Sequence, residues 1–207
     1  MTPPCLRHPN PPKIHQAVSD LVSELVRRGI AVVTFNQRTV AEILQMIRML
    51  GGLVGCQREA EQLADRLSAD LDRVRDAASR QPQRLRTFFE EWDDPLISGI
   101  RWVEELIELA GGAPIFPELS AARLAKDRIV DPAEVARRDP QIIFASWCGK
   151  KVRKETIRSR AGWDRVSAVR NDRIYEIKST DILQPGPASL TDGVRQLHEV
   201  LSSQIPP

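Results

Sequence analysis

The sequence of 207 residues lacks any run of the roughly 20 apolar residues that a membrane span requires. It is poor in cysteine: Cys5, Cys56 and Cys148 are far apart, odd in number and without C-x-x-C spacing, so neither structural disulfides nor a metal site is predicted. It also lacks an excess of charge, because 30 lysines and arginines stand against 28 aspartates and glutamates, and the basic residues are scattered. We therefore expect no nucleic-acid partner.

The first residues lack the apolar core of a signal peptide. Five of the 15 prolines lie within the first twelve residues, where they remove amide donors and disfavour both helix and sheet. Residues 1–16 are therefore predicted to be a disordered, proline-rich lead-in. Cys5 lacks the apolar run of a lipobox and is interpreted as a free thiol. From the sequence as written, the expectation is a cytoplasmic product.

The sequence does contain alternating helix and strand patterns, with 42% hydrophobic residues to build a core. Apolar residues recur at three- and four-residue steps over residues 17–29 and 40–52, which predicts two helices, and "IAVVTF" (30–35) between them is typical of a buried strand. An apolar stripe from Ala60 to Ala78 predicts one helix, stopped by Pro82, on the order of 35 Å long at 1.5 Å per residue.

The second half of the chain repeats this alternation. Strands are predicted at "LRTFF" (85–89), "QIIFAS" (141–146) and "RIYEI" (173–177), with helices between and after them, one of them capped by Asp131 with Pro132 in its first turn. This order predicts an α/β fold with a mainly parallel sheet flanked by helices on both faces. Ligands in such sheets lie beyond the carboxyl ends of the strands. We therefore expect residues 90–95, 146–150 and 178–186 to meet at one rim.

The first predicted rim loop lies in "RTFFEEWDDPLISGIRWVEELIELAGG" (86–112), where four acids and a tryptophan separate a strand from a helix. Glu90, Glu91, Trp92 and Asp93 are candidates for ligand contact, the indole as a flat apolar surface and the acids as hydrogen-bond acceptors. The alternative is that Asp94 caps the following helix, the other acids favour its positive end, and Trp92 belongs to the core. The residues alone leave both interpretations open.

The other two rim loops are "SWCGKK" (146–151) and "ILQPGPA" (182–188). In the first, Trp147, Cys148 and Lys150 are candidate ligand contacts. The lysines could activate Cys148 as a nucleophile, but no histidine is near in sequence, and a small buried cysteine at a strand end is the preferred interpretation. In the other loop, the candidates are Leu183, Gln184 and Pro185, with an ordinary connecting loop as the alternative.

A resemblance to a known family rests on six segments, in chain order: "FNQRTVAEILQMIRMLGGLVG", "FFEEWDDPLISGIRWVEELIELAGG", "KDRIV", "SWCGKK", "GWDRVSAVRNDRIYEIKS" and "ILQPGPASLTDG". They resemble the cobalamin and ferric-siderophore class of ABC-transporter substrate-binding proteins, and in particular its cobalamin-binding-protein-like members. The resemblance covers roughly residues 17–203. It implies two α/β lobes joined by one long helix, with ligand held in the cleft between the lobes.

The resemblance also implies a domain division. Residues 17–55 would be the remnant of an incomplete, amino-terminally truncated lobe, residues 56–82 the long connecting helix, and residues 83–207 the carboxyl-terminal α/β lobe. Family members are exported, so the resemblance implies a periplasmic location, in contrast to the missing signal.

The function implied is that of a solute-binding component of an ABC importer. It would bind cobalamin or a ferric siderophore, without a covalent cofactor or catalysis, and deliver it to an ABC permease. Family members dock on the permease through acids at the lobe tips, which suggests Glu134 and Glu42 here. Two alternatives are a metal-dependent hydrolase that uses Glu90, Glu91 and Asp93, and a vestigial or interaction protein without ligand.

Overall fold

The computed structural model describes residues 12–205, with side chains from residue 18 onward. The predicted disorder of residues 1–11 and the free thiol of Cys5 lie outside the described residues. Helix α1 spans Pro12–Arg27, so residues 12–16 are helical rather than part of an unstructured lead-in. Proline is tolerated at the first helical position because the amide that it lacks has no partner there.

The chain divides into two compact units, residues 1–36 and residues 37–207. In the first unit, the strand predicted over residues 30–35 is wrong: this segment has no regular secondary structure, and Ile30 and Val33 are 50% and 52% exposed. A β-branched run becomes a strand only where a partner strand accepts its ladder of hydrogen bonds, and none of the described strands pairs with this segment.

The second unit begins with two long helices, α2 (Val40–Leu53) and α3 (Gln57–Ser79), and confirms both helix predictions. A capping box starts α2: the Thr39 hydroxyl accepts the Glu42 amide, and the Glu42 carboxylate accepts the Thr39 amide, both at 3.1 Å. The two helices meet closely, because a Cβ on Gly51 would overlap that of Ala60. The absence of a side chain at Gly51 therefore allows α2 and α3 to pack this closely.

The remaining helices follow the strands. They are α4 (Arg101–Leu109), α5 (Pro132–Arg138), α6 (Lys154–Arg158), α7 (Ser167–Arg170), α8 (Ser179–Ile182) and α9 (Val194–Ser203), the last preceded by a π-helical turn at Ser189–Gly193. The predicted cap of α5 is confirmed, since the Asp131 carboxylate accepts the Ala133 amide at 2.9 Å and Pro132 is the first helical residue.

Five strands in the described part of the chain form one sheet: β1 (Leu85–Asp93), β2 (Leu96–Ser98), β3 (Gly112–Pro114), β4 (Ile142–Ala145) and β5 (Ile174–Glu176). The order is β2-β1-β4-β5, and β3 also pairs with β1. All pairs are parallel except β1 with β2, which form a hairpin. The prediction of an α/β fold with a mainly parallel sheet flanked by helices is therefore confirmed.

Two apolar clusters cover the two faces of the sheet. On one face Leu85 and Phe89 of β1 pack with side chains of α2, α3, α4 and α9. On the other face Phe88 packs with Trp147, Trp163 and residues of α5. Helices α2 and α3 thus lie in the same compact unit as the sheet. The assignment of residues 17–55, 56–82 and 83–207 to a lobe remnant, a connecting helix and a second lobe stays a prediction.

Candidate functional site

The acidic stretch lies on a strand rather than in a loop, because β1 continues through Asp93. The alternative role of Asp94 as a helix cap is wrong, since Ile100 is the residue that precedes α4. The register between β1 and β2 shifts between Glu90 and Trp92, which marks a β-bulge at the end of the strand. Bulges of this kind redirect the side chains around them.

Glu90 is an internal ion-pair residue. Its side chain is 0% exposed, and its carboxylate accepts two hydrogen bonds from Arg160, at 2.5 and 2.8 Å, and one from Trp147 Nε1 at 3.1 Å. Burial, the largest influence, raises the pKa of Glu90, while Arg160 and then Trp147 favour its charged form. A carboxylate with these partners is held in place, and it orients the Trp147 indole at the end of β4.

Glu91 takes a different cation. Arg128, whose side chain is 3% exposed, donates from Nη1 and Nη2 to the two carboxylate oxygens of Glu91 at 2.7 and 3.0 Å, and also donates to the Ser98 carbonyl. Glu104, in the first turn of α4, lies in the same region, and burial raises its pKa to about 8 against the opposing effects of Arg128 and the Gly99 amide. Arg128, Arg160 and Glu104 are not among the site residues predicted from the sequence.

Asp93 and Trp92 meet the second rim loop through Lys150. The Lys150 ammonium lies 2.5 Å from Asp93 Oδ1, 4.2 Å from the ring centre of Trp92 and 5.0 Å from that of Trp147. Cation–π contacts and an ion pair therefore connect the ends of β1 and β4. Trp92 is half-buried, and its Nε1 donates to the Asp94 carbonyl at 3.0 Å.

The predicted carboxylate cluster for metal hydrolysis does not form. Glu90, Glu91 and Asp93 each pair with a cation from a different part of the chain, Arg160, Arg128 and Lys150. Across residues 18–205 no group of three histidine, cysteine, aspartate or glutamate side chains is placed to hold a metal ion. The preferred interpretation of Cys148 as a buried cysteine is also wrong, because its side chain is exposed in the turn after β4.

A hollow of about 310 Å³ lies beyond the carboxyl ends of β4 and β5. It is lined by Trp147, residues 149–151 and residues 176–180, and we call it the rim hollow. Of this lining, Trp147 and Lys150 are among the site residues predicted from the sequence, whereas Lys151 and Lys178 are not. The order β1-β4-β5 of neighbouring parallel strands is the signal that brings these segments together.

The third predicted loop contributes less directly. Leu183 packs against the apolar cluster that also contains Leu85 and Phe89, Gln184 is exposed, and Pro185 is half-buried. None of the three lines the rim hollow. Their role in ligand contact, like that of the other candidate residues, stays a prediction.

The two candidate docking acids are both engaged locally. Glu134 accepts hydrogen bonds from Arg137 and from Arg138, which together hold its pKa at about 2, well below its ordinary value. Glu42 is exposed, and its hydrogen bonds to the Arg38 and Thr39 amides lower its pKa. Any docking partner would have to share these carboxylates with their present donors.

A parallel sheet whose strands end at a rim of aromatic and charged side chains is typical of ligand-binding α/β proteins. A sequence profile of the periplasmic binding protein family matches residues 14–180. The chain therefore belongs to this family, and the resemblance inferred from the sequence is confirmed. None of the helices described is both long and apolar enough to cross a membrane.

Individual relatives are distant. The chain is 24% identical over 189 residues to YvrC, an uncharacterized ABC transporter substrate-binding lipoprotein of Bacillus subtilis, covering 88% of this chain and 57% of that protein. A Staphylococcus epidermidis structure, described as a possible iron-binding (periplasmic solute-binding) protein, has a TM-score of 0.74 at 20% identity and covers 88% of this chain and 70% of that one. The vitamin B12 binding protein BtuF of Vibrio cholerae has a TM-score of 0.66 at 23% identity, covering 89% and 70%. The chain thus spans less than two thirds of the YvrC relative.

Proposed function

We propose that this chain is the solute-binding component of an ABC importer, which holds cobalamin, a ferric siderophore or a related chelated-metal ligand at the rim of its sheet. Family membership supports the binding role, and the relatives described as binding iron or vitamin B12 support the ligand class. The substrate-binding lipoprotein relative supports delivery to a permease and a location outside the cytoplasm. We propose Glu42 and Glu134 as the acids that contact the permease.

The observation that carries the proposal is the group formed by Trp92, Lys150 and Trp147 beside the rim hollow. Trp92 offers a large flat ligand a half-buried aromatic surface and Lys150 offers a cation, while the buried Trp147, whose indole donates to Glu90, packs against Lys150. Recognition of this kind depends on shape and polar contacts rather than on reactive groups. Because the three carboxylates of β1 are separately paired, we propose binding rather than hydrolysis.

Tryptophan fluorescence tests this proposal. Trp102, Trp147 and Trp163 are buried, and Trp92 is the half-buried indole at the rim. Cyanocobalamin and ferric chelates added to the purified protein are expected to quench emission with saturation. In Trp92→Phe the saturable quench should fall sharply. The matched control is Trp102→Phe, which removes an indole that packs on the opposite face of the sheet and donates to the Ile182 carbonyl at 3.1 Å.

Equilibrium dialysis of the same ligands separates binding from optical effects such as absorption by the chelate. Saturable retention of at least one ligand by the wild-type chain supports the proposal. If no ligand is retained at saturating concentration, the binding role is rejected. A dimer without ligand response would then favour the vestigial or interaction protein considered from the sequence.

A further inference from the structure

The basic residues that line the rim hollow are lysines, whereas most basic residues of the chain are arginines. The chain has six lysines among its 30 basic residues, and three of them, Lys150, Lys151 and Lys178, line this one hollow. All three are exposed. A chain that otherwise relies on arginine thus places half of its lysines around a single concave surface at the predicted ligand rim.

Two of these ammonium groups are uncommitted. The Lys150 ammonium pairs with Asp93 at 2.5 Å, but no hydrogen bond or ion pair of the Lys151 or Lys178 ammonium is found within the described part of the chain. Glu176 is the acidic residue of the lining, and its carboxylate accepts the Val152 amide at 3.1 Å. The lining therefore carries an excess of positive charge next to the buried apolar surfaces of Trp147 and Ile177.

The segment that contains these three lysines is basic in composition. Residues 150–178 contain ten basic and four acidic side chains, whereas the whole chain has a formal net charge of only +2. The basic residues that look scattered along the full sequence are thus concentrated after β4. Of these ten basic residues, Lys150, Lys151 and Lys178 line the rim hollow, and a concave surface lined by charge of one sign focuses its potential and raises the association rate of anions.

We infer that the rim hollow binds an anionic edge of the ligand, so that the substrate class is a metal chelate with several carboxylate or catecholate oxygens rather than an uncharged chelate. This inference rests on the proposed function and narrows it. Lysine suits an irregular anionic edge, because its ammonium group is a compact charge on a flexible stem and does not require the planar two-oxygen geometry that arginine prefers. The hydroxyls of Ser179 and Thr180 add hydrogen-bonding groups to the same lining.

Two probes of similar size and different charge test the inference: iron(III) held by a hexadentate tris-catecholate chelator, which is trianionic, and iron(III) held by a hexadentate tris-hydroxamate chelator, which is uncharged. Binding is measured by equilibrium dialysis on the full chain, with cyanocobalamin as a third probe. The wild-type chain should bind the trianion about tenfold or more tightly than the neutral complex. Raising the ionic strength from about 0.1 M to about 1 M, which shortens the Debye length from about 10 Å to about 3 Å, should weaken binding of the trianion alone.

The lysine variants locate the effect. Lys151→Gln and Lys178→Gln should each weaken trianion binding about three- to fivefold, and the double variant about tenfold or more, as expected for exposed charge contacts. Lys126→Gln is the matched control, because Lys126 is an exposed lysine in the 3-10 turn Ala125–Arg128 and does not line the hollow. All of these side chains are exposed, so each variant should fold, which circular dichroism of each variant would check.

The outcomes separate this inference from the proposed function. Preference for the trianion that is lost in the double variant, with Lys126→Gln unchanged, supports the inference. Equal affinity for the charged and uncharged chelates, or lysine variants that bind like the wild type, overturns it while the solute-binding role stands. Absence of binding to all three probes rejects both.

Discussion

Replacing Glu104 by glutamine should change how the stability of this protein depends on pH. The Glu104 side chain packs directly against Gly99, so that a Cβ added at Gly99 would overlap Glu104 Oε1. The Glu104 carboxyl group also accepts a hydrogen bond from the Gly99 amide. Burial raises the pKa of Glu104 from its ordinary value of 4.5 to about 8, although the Arg128 guanidinium opposes the change. Glutamine keeps the shape and the hydrogen-bond acceptor but does not titrate.

The direction in which stability changes with pH follows from the number of protons that the folded and unfolded chains bind. Between pH 4.5 and about 8 the folded chain keeps the Glu104 proton, whereas the unfolded chain has lost it. The stabilisation associated with this carboxyl is therefore complete below the unfolded pKa, declines as the pH rises, and is lost above about pH 8. A pKa difference of this size corresponds to about 5 kcal/mol at its limit.

Urea denaturation at several pH values measures the difference. Glu104→Gln and the wild type should differ by less than about 1 kcal/mol near pH 5, and the variant should be more stable by about 3–5 kcal/mol near pH 9. Glu59→Gln is the control, because Glu59 is an exposed glutamate in the first turn of α3 and is not among the charges that act on Glu104, and this variant should not reproduce the gain expected of Glu104→Gln. Parallel curves for the wild type and Glu104→Gln would refute the reasoning.

Two further predictions concern packing and charge. Arg160→Met leaves the Glu90 carboxylate buried without its cation and should cost about 3–5 kcal/mol, part of which should return when Glu90→Gln is added. Urea denaturation of the single and double variants measures this, and a single variant within about 1 kcal/mol of the wild type would contradict the pairing. Gly51→Ala should destabilise the chain by about 1–3 kcal/mol because its Cβ would overlap that of Ala60. Gly52→Ala, with nothing within 4 Å of its Cβ, should stabilise α2 by about 0.5–1 kcal/mol, and equal thermal midpoints for the two alanine variants would count against the close approach of α2 and α3.

Structural features that depend on a few neighbouring residues were predicted correctly from the sequence. The periodicity of apolar residues gave the positions of α2 and α3, and the Asp131-Pro132 pair marked the start of α5. A helix closes its hydrogen bonds within four residues, so its signal is contained in a short window of sequence. Residues 30–35 had the right composition for a strand but no partner, which a local pattern does not reveal.

The location of the candidate site was predicted from the sequence, but the ion-pair partners and the burial of its residues were not. The rule that parallel strands end at the same edge of a sheet correctly predicted that Trp92, Trp147 and Lys150 lie close together at one rim. It did not show that Glu90 is a buried ion-pair residue or that Cys148 is exposed. Both facts depend on which side chains arrive from elsewhere in the chain.

By itself, the sequence determined the α/β class, most of the helices and the family, because these follow from local periodicity and from motifs that are contiguous in the chain. Only the tertiary structure decided which charges meet. Arg160 reaches Glu90 from 70 residues away, and Lys178 faces the same hollow as Lys151 because β4 and β5 are neighbours in the sheet. Ion pairing and burial depend on distances in space, which strand order and helix packing set and a short window of sequence does not contain.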